Sequence, residues 1–115
     1  MSEPKPPDKT LQHLNDKHNF TQRRLETAIK LRNLICQVLG IKNNKIAKKR
    51  VQRALIARYG EIDCERIFLD EAGITLSPRE FWQSVQDTRR IGTLKRKLQE
   101  LEEKIAQASH SSEHL

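Results

Sequence analysis

Histidine and cysteine are the side chains that most often carry catalysis or hold a metal, and this chain has four histidines and two cysteines. His13 and His18 are five residues apart, so they point in different directions on a helix. His110 and His114 lie in a polar C-terminal segment, and two histidines without a supporting carboxylate or thiolate make a weak metal site. The cysteines form no CxxC pair, and no glycine-rich phosphate loop is present. We therefore expect no enzymatic activity, no metal and no cofactor.

Charge is the more informative chemistry, because it is spread unevenly along the chain. Residues 41–60, IKNNKIAKKRVQRALIARYG, contain seven Lys or Arg and no Asp or Glu, and they account for the whole net charge of +7. A solvated helix face normally interleaves the two signs at four-residue spacing, as Arg96, Glu100 and Lys104 do later in the chain. The missing counter-charge predicts a polyanionic partner.

The basic stretch is predicted to form a helix over about 45–59, with Asn44 as its cap and Gly60 at its end. At 100° per residue its apolar side consists of Ala47, Val51, Ala54 and Leu55, and most of its basic residues lie opposite. Arg50 and Arg58 fall nearer the apolar side, so we expect them to serve packing or internal ion pairs. The helix should thus be held by one side while the other displays charge.

A nucleic acid would supply the missing negative charge, with a gain from counterion release. Single-strand binders stack bases on exposed aromatic rings, whereas most of the few aromatic residues here fall at positions where burial is expected. The sequence therefore predicts a small nucleic-acid-binding protein of regulatory or accessory type, with duplex DNA favoured over RNA. The predicted contact residues are Lys42, Lys45, Lys48, Lys49, Gln52, Arg53, Arg79, Arg89 and Arg90.

Residues 63–90 have the outline of a helix-turn-helix unit, in which a short acidic helix precedes a recognition helix over 78–90. Ser77 as cap, Pro78 at the first helical position and Glu80 at the third form a capping box, which marks the start of this second helix. Three of the predicted contact residues, all arginines, lie on it. An ordinary pair of packed helices would have the same pattern, so both interpretations stay open.

The C-terminal part of the chain repeats apolar residues at three- and four-residue steps, the spacing of a coiled-coil seam. The seam consists of Ile91, Leu94, Leu98, Leu101 and Ile105. It is too short for a stable coiled coil by itself, so it either packs on its own domain or pairs in a homodimer. Because 36% apolar residues is lean for a core, we expect the dimer, held through residues 91–108.

Together these elements predict an all-α domain of about four helices over residues 10–108, including a long C-terminal helix, with tails at 1–9 and 109–115. No apolar stretch approaches the 18 residues of a membrane span and no signal peptide is visible, so we expect an intracellular protein without a membrane partner. The rival hypothesis is a helical adaptor that binds an acidic protein through the basic face and pairs through its C-terminal helix.

Overall fold

The computed structural model describes the backbone of residues 7–113 and the side chains of residues 10–110. Five α-helices occur in this range: α1 (Pro7–Leu39), α2 (Lys48–Tyr59), α3 (Cys64–Ala72), α4 (Pro78–Asp87) and α5 (Ile91–Glu113). Two short 3₁₀ turns lie at Asn43–Lys45 and Thr88–Arg90. No strand is found between residues 7 and 113, and the all-α prediction is confirmed.

The predicted tails are shorter than expected. The helix α1 begins at Pro7, and α5 continues to Glu113, so residues 7–9 and 109–113 are helical. The remaining tail residues, 1–6 and 114–115, lie outside the described backbone.

The chain divides into two compact units. The central unit comprises Glu26–Ile91, and the terminal unit comprises the residues up to Leu25 and from Gly92 onward. In the central unit, Val51 and Leu55 of α2 are fully buried, as the predicted apolar side of this helix requires. They join a core that contains Phe68 of α3 and Phe81 of α4, whose rings meet edge to face with centroids 5.9 Å apart.

The helix α2 begins later than the sequence predicts. Asn44 lies inside the first 3₁₀ turn and caps nothing, while Ala47 occupies the N-cap position of α2 without a side-chain hydrogen bond. The reason is Ile46, which is 4% exposed and has an extended backbone. On a continuous helix Ile46 would stand about 140° from Val51 and face solvent. Burying this side chain therefore interrupts the helix.

The capping box at the start of α4 is confirmed. The Ser77 N–H donates to Glu80 Oε1 at 2.9 Å, and the Glu80 N–H donates to Ser77 Oγ at 3.2 Å. At the start of α3, by contrast, Asp63 occupies the N-cap position with a left-handed backbone (φ 56°) and makes no side-chain cap hydrogen bond. A capping side chain needs an extended backbone at this position, so Asp63 does not act as one.

The predicted helix from Pro78 onward is two helices. It ends at Asp87, where Thr88 Oγ1 donates to the Val85 carbonyl at 2.6 Å, and α5 starts at Ile91. The described residues thus contain five α-helices, close to the predicted number of about four.

The terminal unit contains most of the apolar seam of α5. Leu94 is 4% exposed, whereas Leu98, Leu101 and Ile105 are half-buried within the single chain. Ile91, which is 8% exposed, belongs to the central unit. The homodimer through these residues stays a prediction. Across the described residues, no helix combines the length and apolar character that crossing a membrane requires.

Candidate nucleic-acid interface

A groove of about 630 Å³ lies beside α2 in the central unit. We call it the basic groove; it is lined by Gly40, Ile41, Lys42, Lys45, Arg50, Arg53 and Ala54. One wall is the connection between α1 and α2, which carries the two lysines. The other wall is one side of α2, which carries the two arginines.

Local structure explains why these residues meet. Gly40 has a φ of 69°, a left-handed conformation that suits glycine, and there the chain leaves α1. The following 3₁₀ turn is closed by a hydrogen bond from the Lys45 N–H to the Lys42 carbonyl at 2.8 Å. Across the groove, Arg50 and Arg53 are three residues apart and therefore lie on the same side of α2.

The basic groove is lined by four residues that carry a formal positive charge. All four basic side chains are exposed, and among the described residues none of them lies within ion-pair distance of a carboxylate. The N-terminus of α2 adds to this positive charge, since its first turn contains no acidic residue and no side chain caps it. The apolar residues Ile41 and Ala54 are half-buried between the walls.

Only part of the predicted basic face of α2 lines the basic groove. Lys45 and Arg53, with Lys42, line the basic groove, whereas Lys48, Lys49 and Gln52 do not, although all three are exposed.

Lys48 is directed toward α4, with its Nζ 5.7 Å from the centroid of the Trp82 ring. The indole N–H of Trp82 donates in turn to Glu65 Oε2 at 3.0 Å. The backbone N–H of Glu65, followed by the Trp82 indole and the Cys64 thiol, holds the pKa of the Glu65 carboxyl below its ordinary value. Lys48 thus lies beside Trp82 of α4 and does not line the groove.

Arg50 is the functional candidate that sequence reasoning missed. It was expected near the apolar side, but it is exposed and lines the basic groove. Its three-residue spacing from Arg53 was the available signal. Arg58 is exposed and does not line the groove; its Nε donates to Tyr59 Oη at 3.2 Å, and Tyr59 Oη donates to Glu71 Oε2 at 2.9 Å, while its predicted packing role stays a prediction.

The three remaining predicted contact residues lie elsewhere in the central unit. Arg79 is in the first turn of α4, and Arg89 and Arg90 are in the second 3₁₀ turn. All three are exposed, and none lines the basic groove. Five residues, 73–77, connect α3 to α4, one or two more than the usual helix-turn-helix connection. The helix-turn-helix interpretation stays a hypothesis.

The aromatic rings of the central unit offer little surface for base stacking. Phe68 and Phe81 are buried, and Trp82 is half-buried beneath Lys48. Phe20 in the terminal unit is the exception, because it is 63% exposed, with the Arg24 guanidinium 5.9 Å from its ring centroid.

The candidate catalytic and metal-binding residues are dispersed. Burial raises the pKa of the Cys64 thiol, which donates to Glu65 Oε1 at 3.3 Å. His18 Nε2 lies 3.0 Å from Glu102 Oε2, while His114 of the weak tail pair lies outside the described residues. Within residues 10–110, no three His, Cys, Asp or Glu side chains are grouped so that they could hold a metal ion.

The geometry of the basic groove is therefore the main guide to function. Comparison of the chain with protein-family models, with curated proteins and with solved structures gives no match.

Proposed function

We propose that this protein binds nucleic acid through the basic groove, with duplex DNA as the preferred ligand, in a regulatory or accessory role. One observation carries the proposal: Lys42, Lys45, Arg50 and Arg53 converge on one concavity with no carboxylate within ion-pair distance among the described residues. Four like charges held together without counter-ions repel one another. A phosphate backbone relieves this repulsion and releases its own condensed cations when it binds.

The choice of duplex over single strand rests on the aromatic residues. Proteins that hold single strands stack the bases on exposed rings. In the central unit the aromatic rings beside α2 are packed in the core or take part in the contact among Lys48, Trp82 and Glu65. The phosphates of a duplex or of folded RNA need no such platform.

Titrations of a labelled duplex DNA, a single strand and a structured RNA would test the proposal at about 50 mM and about 200 mM salt. The informative variant is Arg50→Ala with Arg53→Ala. Its matched control is Lys95→Ala with Lys97→Ala, which removes the same charge from exposed positions of α5. We expect the first variant to weaken duplex binding by about a hundredfold or more, as the loss of two charged contacts of about 1.5 kcal/mol or more each implies, and the control to resemble the parent. Equal weakening in both would mean that only net charge matters.

A second candidate function is an adaptor for an acidic protein, and the apolar residues Ile41 and Ala54 between the basic walls favour it. An amphipathic helix with acidic flanks would match this pattern. Salt dependence separates the two functions. Four phosphate contacts on duplex DNA give a log–log slope of about −3.6, whereas an interface of a few screened charge pairs gives a shallower slope.

A further inference from the structure

Building on the proposed function, we infer that the basic groove holds the sugar–phosphate backbone of the nucleic acid and reads no bases, so that affinity is independent of base sequence. The inference concerns the ligand of the same groove. It rests on the concave shape of the groove, on the side chains that line it and on the spacing of its arginines.

Shape is the first argument. Base edges lie at the bottom of the DNA grooves, and proteins reach them with a protruding helix, ribbon or arm. The four cations here stand on opposite walls of a concavity. A concave surface accepts a convex ligand, and the convex feature of a duplex is its backbone ridge. Arginine side chains in this position contact phosphate groups before they can reach the edge of a guanine base.

The lining residues are the second argument. Asn and Gln side chains read adenine through paired hydrogen bonds. The candidates of this kind near α2 are Asn43, Asn44 and Gln52, and none of them lines the basic groove. The hydrogen-bonding side chains that do line it are lysines and arginines, which suit phosphate oxygens. Ile41 and Ala54 between them offer apolar contact to the carbon atoms of a sugar.

Spacing is the third argument. The Cβ atoms of residues three apart on a helix, such as Arg50 and Arg53, lie about 5–6 Å from each other. A DNA strand carries one phosphate per about 3.4 Å of helix axis, and because the strand winds around the axis its neighbouring phosphates are farther apart than this rise. Two long guanidinium side chains therefore reach neighbouring phosphates of one strand, while Lys42 and Lys45 contact the same strand from the other wall.

The test compares three duplexes of equal length, rich in A·T, rich in G·C and mixed, by fluorescence anisotropy with the full chain. We expect their Kd values to agree within about threefold, because reading even one base pair costs about fivefold or more. Arg50→Ala with Arg53→Ala should weaken all three equally, and Gln52→Ala should change none. A preference above about tenfold for any one of the three duplexes would overturn the inference, and its loss in Gln52→Ala would identify Gln52 as the residue that reads the base.

Competition distinguishes binding of the sugar–phosphate backbone from binding of charge alone. Inorganic polyphosphate has the charge of a nucleic acid without its sugars. We expect an unlabelled duplex to displace a labelled duplex, and polyphosphate of equal total charge to displace it less well. Polyphosphate that competes as well as the duplex would refute the backbone assignment.

Failure of the inference can be distinguished from failure of the proposed function. A parent chain that binds one duplex sequence selectively keeps the nucleic-acid function and loses sequence independence. A parent chain that binds none of the nucleic acids loses both.

Discussion

Arg50 and Arg58 provide a matched pair for testing where nucleic acid lies on α2. They are the same residue type on the same helix, and both are exposed. Arg50 lines the basic groove, whereas Arg58 is bonded to Tyr59 Oη at 3.2 Å. We predict that Arg50→Ala flattens the salt dependence of duplex binding and that Arg58→Ala leaves it unchanged. Sequence reasoning alone gives them the same minor role, so the difference comes from the structure.

The magnitude follows from the number of phosphate contacts. With four contacts the log–log slope is about −3.6, so a rise from about 50 to about 200 mM salt increases the parent Kd about 150-fold. Without the contact of Arg50 the slope is about −2.7, and the same rise in salt increases Kd about 40-fold. For Arg58→Ala the same rise in salt should still increase Kd about 150-fold. A fourfold difference between variants of equal charge lies within the reach of anisotropy titrations.

Circular dichroism of both variants serves as the folding control, since alanine is the better helix former at exposed positions. The reasoning is refuted if the two variants flatten the slope equally, or if Arg58→Ala flattens it more. Nucleic acid would then lie along the side of α2 that faces α3 and α4, where Lys48 contacts Trp82.

Three further predictions concern folding, pH and assembly. Ile46→Ala should destabilise the central unit by about 2–5 kcal/mol in chemical denaturation and weaken duplex binding although no charge is removed, because Ile46 is buried beside the groove wall. The pKa of Glu65 is lowered chiefly by its own backbone N–H and then by Trp82, so the ionised carboxylate stabilises the fold above the ordinary glutamate value of 4.5, and this stabilisation is lost as pH falls through the lower folded value. Fluorescence of Trp82, the sole tryptophan, should therefore show an acid transition below 4.5 that Glu65→Gln lacks. If the homodimer forms through α5, ultracentrifugation should find twice 13.4 kDa for the parent and 13.4 kDa for Leu98→Asp with Leu101→Asp; a parent of 13.4 kDa at all micromolar concentrations would contradict it.

Features encoded by neighbouring residues could be predicted from the sequence. The capping box of α4 needs only Ser77, Pro78 and Glu80, and both of its hydrogen bonds are present. The same holds for the buried side of α2, which follows from helical periodicity at Val51 and Leu55. Sequence patterns predict a feature correctly when the atoms that form it lie within one or two helical turns of one another.

Features decided by distant contacts could not be predicted in this way. The position of Lys48 depends on Trp82, which belongs to another helix, and no spacing within 41–60 encodes that contact. The interruption before Ile91 coincides with the burial of Asp87 and Thr88, and burial is set by the rest of the fold. The apolar repeat of the sequence continues across this point, so it does not indicate the interruption of the helix.

At Ile46 the local helical pattern and the contacts of the core conflict, and the outcome determines the shape of the candidate site. If the helix had begun at Lys45, as its periodicity suggests, Lys45 would extend α2 along the same rod as Arg50 and Arg53 and no second wall would exist. The core instead takes the Ile46 side chain, the backbone becomes extended there, and the preceding residues close a 3₁₀ turn opposite α2. The concavity that gathers four cations is thus a consequence of burying one apolar side chain. A charged stretch of this composition on a regular helix would present a convex surface, and it would fit the grooves of a duplex rather than its backbone.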